Sequence, residues 1–173
     1  MQFLNFYNGK LFFLNEIWQD SDSLYLYTDS AGSIGFGAIF GKHWCYGEWP
    51  REWQNRNIAI LEFYPIVLSL LLWGSKMQNQ CIVFHTDNEA LVHVINKCTS
   101  KDKTLMVFVR KLVLVCLENN ILFKAQHIPG VKNCLADALS RLQIQRFHQL
   151  APFGFDKYPT IIPPELLPVS WHL

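Results

Sequence analysis

Apolar and polar positions along the chain alternate with a period of two in some stretches and form helix-length apolar runs in others. LYLYT (24–28) is a short β-favouring run that ends at Asp29. IGFGAIF (34–40) and HWCYGEW (43–49) follow, joined by Gly41 and Lys42. A short glycine-containing link between two such runs predicts a β-hairpin. WPREWQNRN (49–57) is polar and aromatic and reads as a loop, with Asn57 placed to cap the next element. IAILEFYPIVLSLLLWG (58–74) is apolar nearly all round, which predicts a helix buried on several sides. Gly74 fits its C-terminal cap, and Pro65 should kink it or lie near its first turns.

CIVFHT (81–86) is a continuous apolar run ending in Asp87 and predicts a strand covered on both faces. DNEALVHVIN (87–96) reads as helical, and Lys97–Lys103 as a basic, polar link. A second apolar helix, TLMVFVRKLVLVCLE, then leads to the strand ILFKAQHI (121–128). Pro129 and Gly130 predict a turn. NCLADALSRLQ (133–143) is a short amphipathic helix, with Asn133 as its cap. The order βββ-α-β-α-α-β-α implies an α/β fold: a mixed sheet, antiparallel at the start, with helices on its faces.

The ends differ from this middle. Residues 1–21 are apolar without a clean period and read as a lead-in, either the remnant of an upstream region or a strand that docks on the domain. After about Phe147, five of the eight prolines fall in APFGFDKYPTIIPPELLPVSWHL. That density predicts an extended linker or tail over 147–173.

Composition narrows the class. Half of the 173 residues are apolar, which suits one domain with a real core. The formal net charge is only +1, so any nucleic-acid site must rest on local patches. Cys45, Cys81, Cys98, Cys116 and Cys134 form no CxxC pair. Reduced, buried thiols in an intracellular protein are the expectation, and a structural zinc site is not. The N-terminus lacks the basic start and cleavage site of a signal peptide. The most apolar stretch, Ile58 to Trp73, carries Glu62 and Pro65 and falls short of the roughly 20 residues that span a bilayer. No membrane association is expected.

Against this frame four acids stand out. Asp29 and Asp87 are predicted at the ends of strands, and Asp137 in the first turn or so of the last helix. The carboxyl ends of strands in open α/β sheets are where sites assemble. Glu62 lies within an apolar helix, between Leu61 and Phe63, with no basic residue within a turn. A buried carboxylate is costly unless a partner or a metal compensates it. Each acid also has a structural explanation: Asp87 as a helix cap, Asp137 as a charge favoured by a helix N-terminus, Glu62 as a half-exposed helix edge. Together they suit phosphodiester hydrolysis, in which two divalent ions roughly 3.5–4 Å apart activate water and stabilise the leaving oxygen. Magnesium prefers hard oxygen ligands, so a few carboxylates suffice.

Four segments, YTDSAGSIGFGAIF, LEFYPIVLSLLLW, FHTDNEALVHVI and AQHIPGVKNCLADALSR, resemble the type 1 ribonuclease H family over about residues 22–146. The last, with its N-x-x-A-D-x-L-S-R ending, looks like the ribonuclease H domains of retroelement polyproteins, above all DIRS-type or related long-terminal-repeat elements. The resemblance implies a ribonuclease H-like, five-stranded mixed sheet flanked by helices. It implies two-metal cleavage of the RNA strand of an RNA–DNA hybrid, with Mg2+ (or Mn2+ in its place), leaving 5′-phosphate and 3′-hydroxyl ends. A reverse transcriptase domain in the same polyprotein is the implied partner.

By the same resemblance Asp29 and Asp87 would share the ions, Asp137 would help hold the one that activates water, and Glu62 the one near the leaving group. His127 stands where many members carry an accessory histidine, and it also fits as the end of the last strand. Hybrid recognition should combine 2′-hydroxyl and phosphate contacts. Ser30, Asn57 and Asn88 are candidate contacts, with capping as their other reading. Lys101 and Lys103, within a cluster with Lys97, Arg110 and Lys111, are candidates for a basic substrate contact or a solvated face. Trp44, Trp49 and Trp53 are read as packing.

Three other readings are weighed. A non-catalytic connection module would keep the fold and only hold a duplex; the four acids speak against such decay. A sugar-kinase or actin-like ATPase needs a duplicated domain, for which the chain is too short. An integrase-type transferase would carry its Glu in the last helix, where this chain has Asp137.

Overall fold

The computed structural model describes residues 17–127 and 133–171. Most of the lead-in, and the turn predicted at Pro129 and Gly130, lie outside these residues. In chain order the elements are β1 (Trp18–Gln19), a single helical turn α1 (Ser21–Leu24), β2 (Leu26–Ala31), β3 (Gly35–Phe40), β4 (His43–Glu48), α2 (Ile58–Trp73), β5 (Cys81–Thr86), α3 (Glu89–Lys97), α4 (Lys103–Glu118), β6 (Leu122–His127), α5 (Cys134–Ser140) and α6 (Ile144–Leu150).

The predicted hairpin is present. β2, β3 and β4 are antiparallel, with Asp29 opposite Gly37 and Phe40 opposite His43. Gly41 takes the positive φ of 58° that the two-residue turn needs. β1, β5 and β6 form a second sheet, parallel throughout, with Trp18 opposite Cys81 and Thr86 opposite His127. The expected single sheet of five strands is therefore corrected to two sheets of three. The break lies between β2 and β5, which do not pair among the described residues. β1 occupies the flank of β5, α1 turns against both β2 and β5, and Tyr25 has a φ of 52°. A left-handed residue interrupts a strand, so the run begins at Leu26 rather than Leu24. It then continues to Ala31, which places Asp29 inside β2 and not at its end.

Period-two alternation on β3 divides the core. Phe36 and Ala38 face α2 and join the cluster of Tyr64, Phe63, Leu68 and Phe108. Ile39 and Trp44 pack on the opposite face with Ala136, Leu139 and Phe147. Gly37 belongs to that second face. A Cβ there would come within 2.5 Å of the Leu139 Cβ and 3.0 Å of the Ala136 carbonyl oxygen. The missing side chain is what lets α5 lie directly on the strand opposite Asp29.

α2 with the 3-10 turn that follows it, Ile58–Met77, is long and apolar enough to cross a bilayer, yet 72% of its apolar window is buried inside the protein. It is the central core helix, running through Pro65 in its interior. The Asn57 side chain caps it by accepting from the Ala59 N–H at 3.0 Å. Gly74 stands at its C-cap in right-handed conformation, and the chain tightens into a 3-10 turn through Met77. The helix predicted over 133–143 is present but ends at Ser140; Leu142 at φ 58° turns the chain, and a second helix, α6, follows beyond the predicted span. On β6, the Asn96 side chain both donates to the Ala125 carbonyl and accepts from its N–H, so it stands in for a neighbouring strand.

The proline-rich segment is extended between short 3-10 turns, and it is docked. Trp171 is buried against Phe108 and Tyr64, with ring centroids 4.8 and 5.2 Å away. Lys111 lies over its other side, with its Nζ 4.4 Å from the ring centroid. Tyr64 Oη and Trp171 Nε1 both donate to the Leu166 carbonyl, at 2.8 and 3.0 Å. Farther back, Thr160 N–H donates to the Trp44 carbonyl along the outer side of β4. Cys45, Cys81 and Cys116 are buried thiols, whereas Cys98 and Cys134 are exposed, against the expectation for these two.

Candidate active site

Four elements each bring one acid to the same cleft of about 250 Å³, which residues of both sheets line. β2 contributes Thr28, Asp29 and Ser30, α2 contributes Glu62 and Ile66, and the end of β5 contributes His85, Thr86 and Asp87. Asn133, Asp137 and Arg141 close it from the α5 side. Asp29 and Asp137, the extremes of the set, are 108 residues apart in sequence, and the fold gathers all four acids on one opening.

Each acid has a defined hold. Ser140, fully buried on α5, donates its hydroxyl to Asp29 Oδ2 at 2.5 Å. The same hydroxyl lies 3.0 Å from the Asp137 carbonyl oxygen, so α5 and β2 are tied at the site. Thr86 donates from Oγ1 to Glu62 Oε2 at 3.1 Å and accepts from the Asn88 N–H at 3.2 Å. Asp137 is taken on both oxygens: Arg141 Nε reaches Oδ1 at 2.6 Å and Arg146 reaches Oδ2 at 2.9 Å. Asp87 follows β5 directly and is exposed. Asn88, not Asp87, caps α3, accepting from the Leu91 N–H at 3.1 Å.

The charges are under strain where they lack cations. Burial pushes the Glu62 carboxyl up to about 7, the charge of Asp87 adds to the shift, and the Thr86 hydrogen bond opposes it. Among the described residues no Lys, Arg or His forms an ion pair with Glu62. Burial likewise raises Asp29 above the usual carboxylate range; Ser140 lowers it, and Asp137 and Asp87 raise it further. For Asp137 burial works in the same direction, but Arg141 and Arg146 outweigh it and hold the carboxyl below its ordinary value.

The donor set suits hard divalent cations: four carboxylates on one cleft, two of them carrying charge that nothing nearby neutralises. As the side chains stand, no three His, Cys, Asp or Glu among the described residues are gathered closely enough to hold one ion. Arg141 and Arg146 hold both oxygens of Asp137.

Similarity to solved proteins follows this geometry. The chain resembles LC11-RNase H1, solved in complex with an RNA/DNA hybrid, at a TM-score of 0.54 and 21% identity, over 66% of this chain and 91% of that one. The fold is that of ribonuclease H1. A second similar structure is RNase H1 from the halophilic archaeon Halobacterium salinarum NRC-1, with a TM-score of 0.50 and 15% identity over 69% of this chain and 95% of that one. No protein-family model and no curated protein matches the chain by sequence.

On the ribonuclease H fold the remaining sequence candidates separate. Ser30 lines the cleft, and its hydroxyl is buried without a hydrogen-bond partner among the described residues. Asn88 does not line the cleft, yet its side chain is close enough to Glu62 to lower that acid's pKa. Asn57 is a helix cap away from the cleft lining. Lys101, on the connection into α4, and Lys103, the first residue of α4, are exposed and do not line the cleft. Lys111, from the same basic cluster, is spent on Trp171. His127 ends β6 beside Thr86, exposed and outside the cleft lining. Sequence reading missed Ser140, Thr86, Asn133, Arg141 and Arg146. Asn133 does not cap α5 with its side chain; its Nδ2 donates to the Thr28 carbonyl at 2.7 Å, and its Oδ1 is buried without a partner among the described residues.

Proposed function

We propose that this chain is a ribonuclease H of type 1 that hydrolyses the RNA strand of RNA–DNA hybrids with two divalent metal ions, as part of retroelement reverse transcription. The observation that carries the proposal is the gathering of Asp29, Glu62, Asp87 and Asp137 on one cleft of a ribonuclease H fold. The similar LC11-RNase H1 was solved in complex with an RNA/DNA hybrid, and hybrid is the substrate proposed here.

Asp29, Glu62, Asp87 and Asp137 would hold Mg2+, with Mn2+ able to replace it. Bound divalent ions supply an activated water and neutralise charge on the leaving oxygen. The protein's own part is positional. Ser140 fixes the rotamer of Asp29, and Thr86 fixes that of Glu62. Ser30 and Asn133 offer unpaired polar atoms at the cleft, suited to sugar hydroxyls or phosphate oxygens of a strand laid across it. His127 could act only from the neighbouring strand end, as an accessory group. The proposed setting is intracellular, beside a reverse transcriptase domain.

The test is a substrate panel: labelled RNA–DNA hybrid, RNA duplex, DNA duplex and single-stranded RNA, each with Mg2+. The proposal expects cleavage of the RNA strand of the hybrid alone, with 5′-phosphate products. Hybrid binding without cleavage would favour a connection module. Cleavage of DNA duplex would contradict the substrate assignment.

A further inference from the structure

Asp137 differs from the other three acids in having both oxygens occupied by cations. Arg141 follows it by one helical turn and donates through Nε. Arg146, from α6, donates through one terminal nitrogen, and the same nitrogen reaches Gln143 Oε1 at 2.9 Å. The two arginines are not equivalent. Arg146 is held by two partners and stands off the cleft, whereas Arg141 lines the cleft and its field reaches Asp29. The Arg141 and Arg146 side chains are 49% and 45% exposed. Ion pairs this open to water are weak and exchange readily.

We infer that Arg141 and Arg146 form a displaceable clamp on Asp137, and that Arg141 passes to a substrate phosphate when a divalent ion takes that carboxylate. The inference rests on the proposed reading of the cleft as a two-metal site. A carboxylate that ligates a cation cannot keep both oxygens on guanidinium groups. Entry of a positive ion therefore competes with the arginines, for the oxygens and through like charge. Once released, Arg141 keeps its place on the cleft wall and presents donors in a planar fork, which suits two oxygens of one phosphate. Arg146 has Gln143 to fall back on and does not itself line the cleft. Cation binding and strand binding are thereby coupled through one side chain: the metal frees the group that grips the backbone. Arg141 and Arg146 act through Asp137 in the cation step and are positioning residues there; only Arg141 goes on to touch substrate.

The test measures binding, not turnover. Mn2+ affinity is titrated calorimetrically in the substrate-free protein for the unmodified chain, Arg141→Ala, Arg146→Ala, Arg146→Gln and Asp87→Asn. Hybrid affinity is measured by fluorescence anisotropy with Mn2+ present, on a hybrid whose RNA strand carries uncleavable phosphate linkages, for the unmodified chain and each arginine variant. Circular dichroism melts check that every variant folds. The expected result is tighter Mn2+ binding by about tenfold in each arginine variant, the effect of removing a unit charge about 6 Å from a divalent ion in water-like surroundings. Hybrid affinity should fall several-fold for Arg141→Ala alone. Unchanged or weaker Mn2+ binding in folded arginine variants overturns the clamp, as does equal loss of hybrid affinity in both. If the unmodified protein binds no Mn2+, or Asp87→Asn binds it equally well, the two-metal reading itself fails and the clamp with it.

Discussion

Replacing Glu62 with Gln removes a charge from the cleft while keeping the shape of the side chain and an oxygen for Thr86 to bond. The folded protein holds this carboxyl proton far more tightly than an unfolded chain would, at about 7 against an ordinary 4.5. Below about 4.5 the group is protonated in both states and contributes nothing. As pH rises from there to about 7, the unfolded chain ionises first, so stability falls; above 7 the loss is complete. At about 1.4 kcal/mol per tenfold the full shift corresponds to about 3 kcal/mol. Water reaches the cleft from one side and screens the charge, so about 1–2 kcal/mol is expected. Urea unfolding followed by tryptophan fluorescence, with a chelator present, measures it. Glu62→Gln should exceed the unmodified protein by that amount at pH 8 and match it near pH 4.5. Adding Mg2+ at pH 8 should stabilise the unmodified protein and close the gap. A Gln variant less stable at pH 8, or a difference that does not depend on pH, would refute the account of Glu62 as an uncompensated buried charge.

Two further outcomes follow from the packing. Gly37→Ala should destabilise the fold by about 2 kcal/mol or more and lower hybrid cleavage, because its Cβ would overlap Leu139 at 2.5 Å and push α5 away from Asp29; thermal melts and initial rates check both, and a fully stable, active variant would contradict the role given to that glycine. Trp171→Ala should cost about 3 kcal/mol in urea unfolding, as loss of a buried aromatic does, with kcat unchanged; an unaffected midpoint would show the docked tail to be idle.

The acids were legible because the local pattern isolates them. Glu62 interrupts an apolar helix, and Asp87 ends an apolar run, so each is conspicuous without any tertiary information. Asp29 was recognised but placed at a strand end, because nothing in LYLYT reveals that Tyr25 turns left-handed and shifts the strand forward. The expected single sheet is two because β2 and β5 do not pair, and pairing between strands depends on backbone path, which hydropathy does not encode. Arg141 and Arg146 could not be assigned to Asp137 from spacing alone. Arg141 is at i+4 and could have been suspected, but Arg146 reaches the site only through the turn at Leu142. The prolines of the tail correctly argued for extended chain. They hid its docking, which depends on Trp171 meeting Phe108 and Tyr64 from distant helices. Lys101 and Lys103 looked like a basic patch because they are close in sequence, and the fold leaves them on the connection into α4 and at its first residue, away from the cleft lining.

The most direct test of the central claim is cleavage of a labelled RNA–DNA hybrid by the unmodified protein and by Asp87→Asn, each with Mg2+ and with chelator. A set of carboxylates that works by holding divalent ions predicts Mg2+-dependent cleavage of the RNA strand, lost on chelation and reduced at least about a hundredfold by the substitution. Equal cleavage by the two proteins, or cleavage indifferent to chelation, would contradict it.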